Sequence, residues 1–378
     1  MEHRFRHLLL IQILLAFAAS SAGTFGIVYL AKEGIAPGQG FSVAEAPLFY
    51  LFGFFFAAIF CVVMSWKTSI RAKTAMSLGI LALAATYVGF ALVRGYVLIT
   101  LIPFFYGVSI PLFYLPFNAL IVKKTVPSNR GMRIGVLFLS VTVATVIAPT
   151  LAGAIINVFG YTALFVFGSV LLVVDVVVVL LAIDDNQTMS FRIDFPSLGG
   201  RNVAAMFFEG CFEGLSFALI ALITLQFVAS EQELGYIFSV FALAGGAMTL
   251  ALGFMSDRIR RRRVFIWAGA VASSLFALLV AFAPNLGSFV GGNSLLQLTG
   301  SVAPLFIFVM VADIGEADAG SVAATREVLL NGGRAFSLSL YFAAAVAGIG
   351  VQAFFATAAV YLLLMLVGKE TRKKTISS

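Results

Sequence analysis

The chain predicts an all-α polytopic membrane protein, with twelve transmembrane helices in two six-helix bundles. Three observations carry that expectation. Its 378 residues are 61% hydrophobic and 11% charged, whereas roughly half of an ordinary soluble domain is apolar. The apolar residues gather in long runs, each near the ~20 residues that a bilayer-spanning helix needs, with short polar loops between them. The cations fall almost wholly into alternate loops.

In chain order the spans lie at about 8–31, 45–66, 74–94, 96–121, 134–158, 161–183, 202–228, 233–255, 264–284, 287–312, 327–347 and 350–367. Arg4 and Arg6 precede LLLIQILLAFAASSAG, which has the charged start and small-residue end of a signal peptide. The apolar run continues through TFGIVYLA, so the whole stretch is read as span 1. Spans 11 and 12 are parted only by Gly348 and Gly350, read as a glycine turn between packed helices.

With both termini placed in the cytoplasm, only Lys32 and Arg94 of the 24 Lys and Arg lie outside, and Arg326 and Arg334 count among the inner cations. This is the positive-inside pattern. It supports an even number of spans, because losing one would scramble the alternation. Short loops point to a multi-pass protein of a prokaryotic plasma membrane. The longest inner loop, DDNQTMSFRIDFPSLGGR from Asp184 to Arg201, divides the chain into a bundle over 1–183, a linker over 184–201 and a bundle with a short basic tail over 202–378. Repeated halves with a substrate site at their interface are a common transporter plan.

Several classes are disfavoured by what the spans contain. The 24 Lys and Arg against 17 Asp and Glu are spread over separate loops, which does not suit a nucleic-acid partner. Cys61 and Cys211 sit singly inside apolar runs, and the two histidines, His3 and His7, are both at the start, so no metal or cofactor is expected. No nucleophile–base pair, HExxH or phosphate loop marks an enzyme. Nor does a ring-forming charge repeat mark a channel.

One loop has a pattern of its own. GFMSDRIRRRR, Gly253 to Arg263, joins spans 8 and 9. Gly253 permits close helix approach, Asp257 can accept from amides at a neighbouring helix start, and Arg258 can pair with an acid across the inner face. Such contacts form in one conformer and break in another. The loop after span 2, MSWKTSIRAK from Met64, is a faint counterpart in which Trp66 stands at the place of Asp257.

On this motif and the two six-span halves, the chain resembles the major facilitator superfamily. The resemblance implies alternating access, with two bundles rocking about a cavity lined mainly by spans 1, 4, 7 and 10. PFFYG, Pro103 to Gly107, lacks the arginine that many proton-coupled drug exporters of the superfamily carry four residues before the glycine. ATVIAPTLAG, Ala144 to Gly153, resembles the antiporter signature and makes Pro149 a candidate for gating. PFNALIVKKTVPSNRGMR from Pro116, and MVADIGEADAG with the following TRE from Met310, resemble inner loops of the glycoside-pentoside-hexuronide cation symporters. Span 1 has none of the acids which that branch uses.

Ionisable groups deep in a membrane are functional candidates. Glu209 and Glu213 in FFEGCFEG share a helix face, and Glu213 lies about 18 Å along a helix begun near Arg201. They are the coupling candidates. Asp175 in VVDVVVV has either a partner on a neighbouring helix or a coupling role, and Asp313, Glu316 and Asp318 suit ion pairs at the inner end of span 10. For substrate contacts the candidates are Ser20, Ser21 and Thr24 in span 1, Tyr106 and Tyr114 in span 4, and Asn293 and Gln297 in span 10. Aromatic-rich FFYGVSIPLFYLPF suits an organic or amphiphilic solute.

The expectation is therefore a monomeric secondary transporter in the lipid bilayer, coupling a small-molecule substrate to a proton or cation. A cation-coupled sugar symporter or an uncoupled facilitator stays open as an alternative. From another class, a membrane-embedded enzyme or assembly factor does too.

Overall fold

A computed structural model describes residues 2–66, 70–124, 130–184, 187–255, 262–304 and 319–367. Helix α1 comprises Glu2–Ala18, a π-helical turn at Ala19–Gly23, and Thr24–Glu33. Next come α2, Leu48–Ser65, α3, Ala72–Leu92, and α4, built of Val97–Thr100 and Ile102–Lys124. The stretch Arg130–Ala182 holds α5 and α6 on either side of Gly160. In the second half lie α7, Gly200–Phe227, α8, Glu231–Met255, α9, Arg262–Ala281, α10, Leu286–Gly300, and α11, Ala319–Val346. The last, α12, runs through Val351–Phe355, Thr357–Leu364 and Met365–Val367.

Among the described residues, each of the twelve expected spans thus carries helix. Seven stretches of the described residues are apolar and long enough to cross a membrane by length and composition, and the longest, Leu139–Ala182, holds parts of both α5 and α6. Their outer faces carry exposed Leu, Val and Phe, such as Leu92, Phe159 and Leu181. A soluble helix would put polar groups there, and a bilayer accepts the apolar ones.

Glycine makes the two tightest reversals. Gly160 has φ 79° and ψ 173°, a backbone conformation in which a side chain would clash. Chain direction turns back there: Gly153 of α5 and Tyr161 of α6 both meet Glu231, at the start of α8. Gly348, at φ 86°, closes α11 as the Ile349 amide donates back to the Ala344 carbonyl.

Helices α1–α6 form one bundle and α7–α12 the other, and they meet along α5 with α8 and α2 with α11. Small residues let α5 and α8 touch. A methyl at Gly153 would stand 2.6 Å from the Glu231 carbonyl oxygen, and one at Gly235 would stand 2.5 Å from that of Pro149. The Thr150 and Ser239 hydroxyls hydrogen-bond across the same seam at 2.8 Å. Pro149 therefore lies on the bundle interface.

The linker is tied to both bundles. Short strands β1, Ile70–Arg71, and β2, Thr188–Met189, pair antiparallel with Ile70 opposite Met189, and the Asp194 amide donates to Thr325 Oγ1 of α11 at 2.8 Å. At the end of the molecule away from the termini, Lys32 of α1 reaches Glu231 of α8 at 2.6 Å, and Tyr161 donates to the same carboxylate at 3.1 Å. Lys32 also donates to the Ala229 carbonyl. Tyr341 of α11 donates to the Val43 carbonyl at 2.8 Å. These contacts close the bundles against each other at that end.

Candidate functional site

The helix 7 glutamates stand where they do because of the glycines that follow them. A methyl at Gly210 would lie 2.3 Å from the Leu330 carbonyl oxygen, and one at Gly214 would lie 2.7 Å from the Arg334 Cα. The EG pairs thus press α7 against α11, and the carboxylates beside them reach its arginines. Glu209, fully buried, accepts from Arg326 at 2.6 Å. Glu213 accepts from Arg334 Nε at 3.0 Å and from Nη2 at 2.5 Å, both on Oε2.

Both partners of the second pair are near mid-helix. Glu213 lies about 20 Å from the start of α7 and Arg334 about 22 Å from that of α11, at 1.5 Å per residue. Asn331 Oδ1 accepts from Arg334 at 2.8 Å, and the Asn331 amide donates to Glu327 Oε2 at 3.4 Å. Arg326 also stands 4.0 Å from Glu327. Among the described residues the network thus holds three carboxylates, Glu209, Glu213 and Glu327, against two guanidinium groups.

Arg334 reaches across the bundle interface as well. Its guanidinium carbon lies 5.2 Å from the Phe54 ring of α2 and 5.7 Å from the Phe217 ring of α7, within cation–π range. Phe54 belongs to an aromatic cluster with Tyr50 and Tyr106, the Tyr106 ring being 6.0 Å from Phe54 and 5.6 Å from Tyr50. Gly53 and Gly107 allow this: a methyl at Gly107 would stand 2.3 Å from the Gly53 carbonyl oxygen, so α2 and α4 touch backbone to backbone. Tyr106 is thus brought beside the Glu213–Arg334 pair.

The span 1 candidates lie on the π-helical turn. Here the ladder lengthens, and the Thr24 amide donates to the Ala19 carbonyl. Side chains from other helices cap the loosened backbone, Tyr87 donating to the Ala18 carbonyl at 3.4 Å and Tyr50 to that of Gly23 at 3.3 Å. Ser21 is buried and bonds back to the Phe17 carbonyl at 2.8 Å, while Ser20 and Thr24 are half-buried. Turns of this kind often mark functional helices.

The remaining candidates separate. Tyr114 is half-buried on α4 against Phe113. Asn293 is fully buried with neither amide atom partnered among the described residues, and Gln297, a turn further along α10, lies opposite Gly245 of α8. Asp175 is fully buried, with neither oxygen partnered among the described residues. Gly253 is on the α8 backbone, whereas Asp257, Arg258, Asp313, Glu316 and Asp318 lie outside the described residues.

One expectation needs correcting. Arg326 and Arg334 are not loop cations at the inner face, because both lie on α11 and pair with the α7 carboxylates. The glutamates, four residues apart on α7, each also have an arginine of their own. Arg334 could have been found in the sequence, since a cation well inside an apolar span needs a buried counter-charge. Phe54 had no such signal among 39 Phe residues.

Two six-helix bundles meeting over a charged network near mid-helix form the two-bundle architecture of a polytopic membrane protein. The family model described as "Major Facilitator Superfamily" matches residues 203–376. The human organic anion transporter MFSD10 (TETRAN) has the same fold, with a TM-score of 0.66 and 16% identity over 97% of this chain and 98% of that one. The multidrug efflux pump LfrA of Mycolicibacterium smegmatis is 35% identical over 88 residues, 23% of this chain and 17% of that pump. The second half of the chain is thus similar in sequence to that superfamily, and the whole chain has the fold of MFSD10.

Proposed function

We propose that the protein is a proton-coupled secondary active transporter that moves a small organic or amphiphilic solute by alternating access. The bundles over 1–183 and 202–378 are the moving bodies and 184–201 tethers them. The protein works as a monomer in a prokaryotic plasma membrane with both termini cytoplasmic, so the closed end at Lys32 and Glu231 is the outer one. The observation that carries this reading is the Glu213–Arg334 pair, near the middle of α7 and α11, with Arg334 lying over Phe54 of the opposite bundle.

Among the described residues the network has one carboxylate more than its guanidinium groups balance, and a proton relieves that excess. A proton arriving on Glu213 weakens its hold on Arg334. The freed guanidinium then depends more on Phe54 and on whatever solute lies beside Tyr106. Binding of solute and of proton are in this way linked through one arginine that touches both bundles. Glu209, sealed from water, fixes Arg326 and acts as the second coupling group.

Solute contacts come from Tyr106 and Tyr114 on one side and Asn293 and Gln297 on the other, with Ser20, Ser21 and Thr24 on the pliable turn of α1. An organic solute suits an aromatic wall with few polar groups. The MFSD10 and LfrA names, an organic anion transporter and a multidrug efflux pump, support that breadth of solute. Pro149 on the α5–α8 seam, Gly253 near the end of α8, and Asp257 and Arg258 after it in the chain are the gating groups.

The test begins with a thermal-shift screen of organic anions and lipophilic cations on the purified protein. Uptake of any stabilising compound is then followed in proteoliposomes under imposed proton and sodium gradients. Accumulation driven by protons supports the proposal. Accumulation driven only by sodium, or mere equilibration, identifies a cation symporter or a facilitator instead.

A further inference from the structure

We infer that Asp175 and Ser77 form a separate proton-binding site buried inside the first bundle, where α1, α3 and α6 meet. Asp175 is fully buried, Ser77 is 7% exposed, and none of their side-chain oxygens has a hydrogen-bond partner among the described residues. Ser77 shares this with Ser216 of α7, but other buried helical serines and threonines differ. Ser21, Thr86 and Ser169, also buried on helices, all donate back to a carbonyl in the preceding turn, as helical serines and threonines commonly do.

Register brings the two groups to one level. Ser169 of α6 donates to the Ala84 carbonyl of α3 at 3.4 Å, and Phe165 packs on Phe90 with ring centroids 5.0 Å apart. The helices are therefore antiparallel. Seven residues along each, about 10 Å or two turns on the same face, places Ser77 level with Val176 and next to Asp175. On the α1 side, a methyl at Gly168 would meet the Ala22 Cβ at 2.7 Å, which puts the apolar stretch around Leu14 and Leu15, on the far side of the π-helical turn, near the level of Asp175.

Other ionisable groups on these helices are further off. By the same register Lys73 of α3 lies about 8 Å along the axis, His7 of α1 about 12 Å, and Tyr87 of α3 about 13 Å in the other direction. On α6 itself Tyr161 and Asp184 are more distant still, nearly four and two and a half turns away. An isolated carboxylate in such a place is too costly to keep, so the group binds a cation. A sodium ion needs several oxygens to replace its water, and the carbonyls here are engaged within helices. A proton needs one oxygen.

The experiment is difference infrared spectroscopy on the full chain in lipid nanodiscs at neutral pH, which reads the carbonyl stretch of protonated carboxylic acids. Wild-type protein is expected to show a band equal to one water-inaccessible carboxyl that is lost in Asp175→Asn and kept in Glu213→Gln. Retention in the Glu213 variant separates this site from the coupling network, so either proposal can fail alone. Ser77→Ala, a milder change, is expected to shift the band as the hydroxyl beside the carboxyl goes. Absence of the band in wild type, its persistence in Asp175→Asn, or an unshifted band in Ser77→Ala would overturn the inference. Sodium-dependent thermal stabilisation that vanishes in Asp175→Asn would replace the proton by a metal cation and overturn it too.

Discussion

Replacing Arg334 by methionine keeps a long unbranched side chain in the α7–α11 seam and removes the charge and the forked donors. Lost with it are two hydrogen bonds to Glu213, at 3.0 and 2.5 Å, one to Asn331 at 2.8 Å, and the face contacts with Phe54 and Phe217. Hydrogen bonds to charged groups contribute about 1.5–3 kcal/mol each, but these cannot simply be added. With the Glu213 side chain 25% exposed, the abandoned carboxylate recovers some solvation or takes a proton, which brings the cost down to about 3 kcal/mol.

For a bundle of this size that cost corresponds to a melting temperature lower by about 6–12 °C. The assay is thermal unfolding of the purified protein, for Arg334→Met, Glu213→Gln and the double variant. Removing both partners leaves no orphaned charge, so the double variant is expected to be more stable than the sum of the single losses by about 1–3 kcal/mol. Additive losses to within about 0.5 kcal/mol would show that the two residues do not act as a pair, and the linkage drawn through Arg334 would fall.

The contact at the closed end is testable by distance measurement between spin labels at Glu33 and Ser230. Lys32→Ala removes an ion pair worth about 1 kcal/mol, and so should raise the open population about five-fold; an unchanged distance distribution would contradict its latching role. Burial pushes the Glu231 carboxyl up, but hydrogen bonds from Lys32 and Tyr161 hold it below the usual carboxylate range. The latch is therefore fully formed above that range and lost as pH falls through the lowered value. Gly153→Val sets a side chain against the α8 backbone, costing about 1–3 kcal/mol, and should lengthen the same label distance. Gly160→Ala forces a side chain into a positive-φ, extended region that glycine alone ordinarily occupies, at a cost of about 1–3 kcal/mol, and unfolding several degrees below wild type is the expected outcome.

Much of the architecture was legible because membrane helices announce themselves by length. The break between spans 5 and 6 was visible only as a glycine between two apolar runs, and Gly160 with its positive φ makes the turn there. Gly348 does the same between α11 and α12. Glu209 and Glu213 stood out as acids in an apolar run. Their partners did not, since Arg326 and Arg334 were judged by closeness to an expected loop, and side-chain pairing between α7 and α11 is a tertiary fact. The π-helical turn in α1 was equally hidden. Its carbonyls depend on Tyr50 and Tyr87 from other helices, which no local pattern encodes. Gly253 drew notice in the sequence for its place in a motif, whereas Gly210 and Gly214 do their steric work by bringing the charged network together.

The central claim, that a proton moving through Glu213 drives solute transport, is tested most directly by uptake into proteoliposomes of a compound that stabilises the protein. Wild type and Glu213→Gln are to be compared under the same imposed proton gradient across a range of pH. The account predicts gradient-driven accumulation by wild type, and its loss in the variant although the compound still binds. Equal accumulation with the same pH profile in both proteins would contradict it.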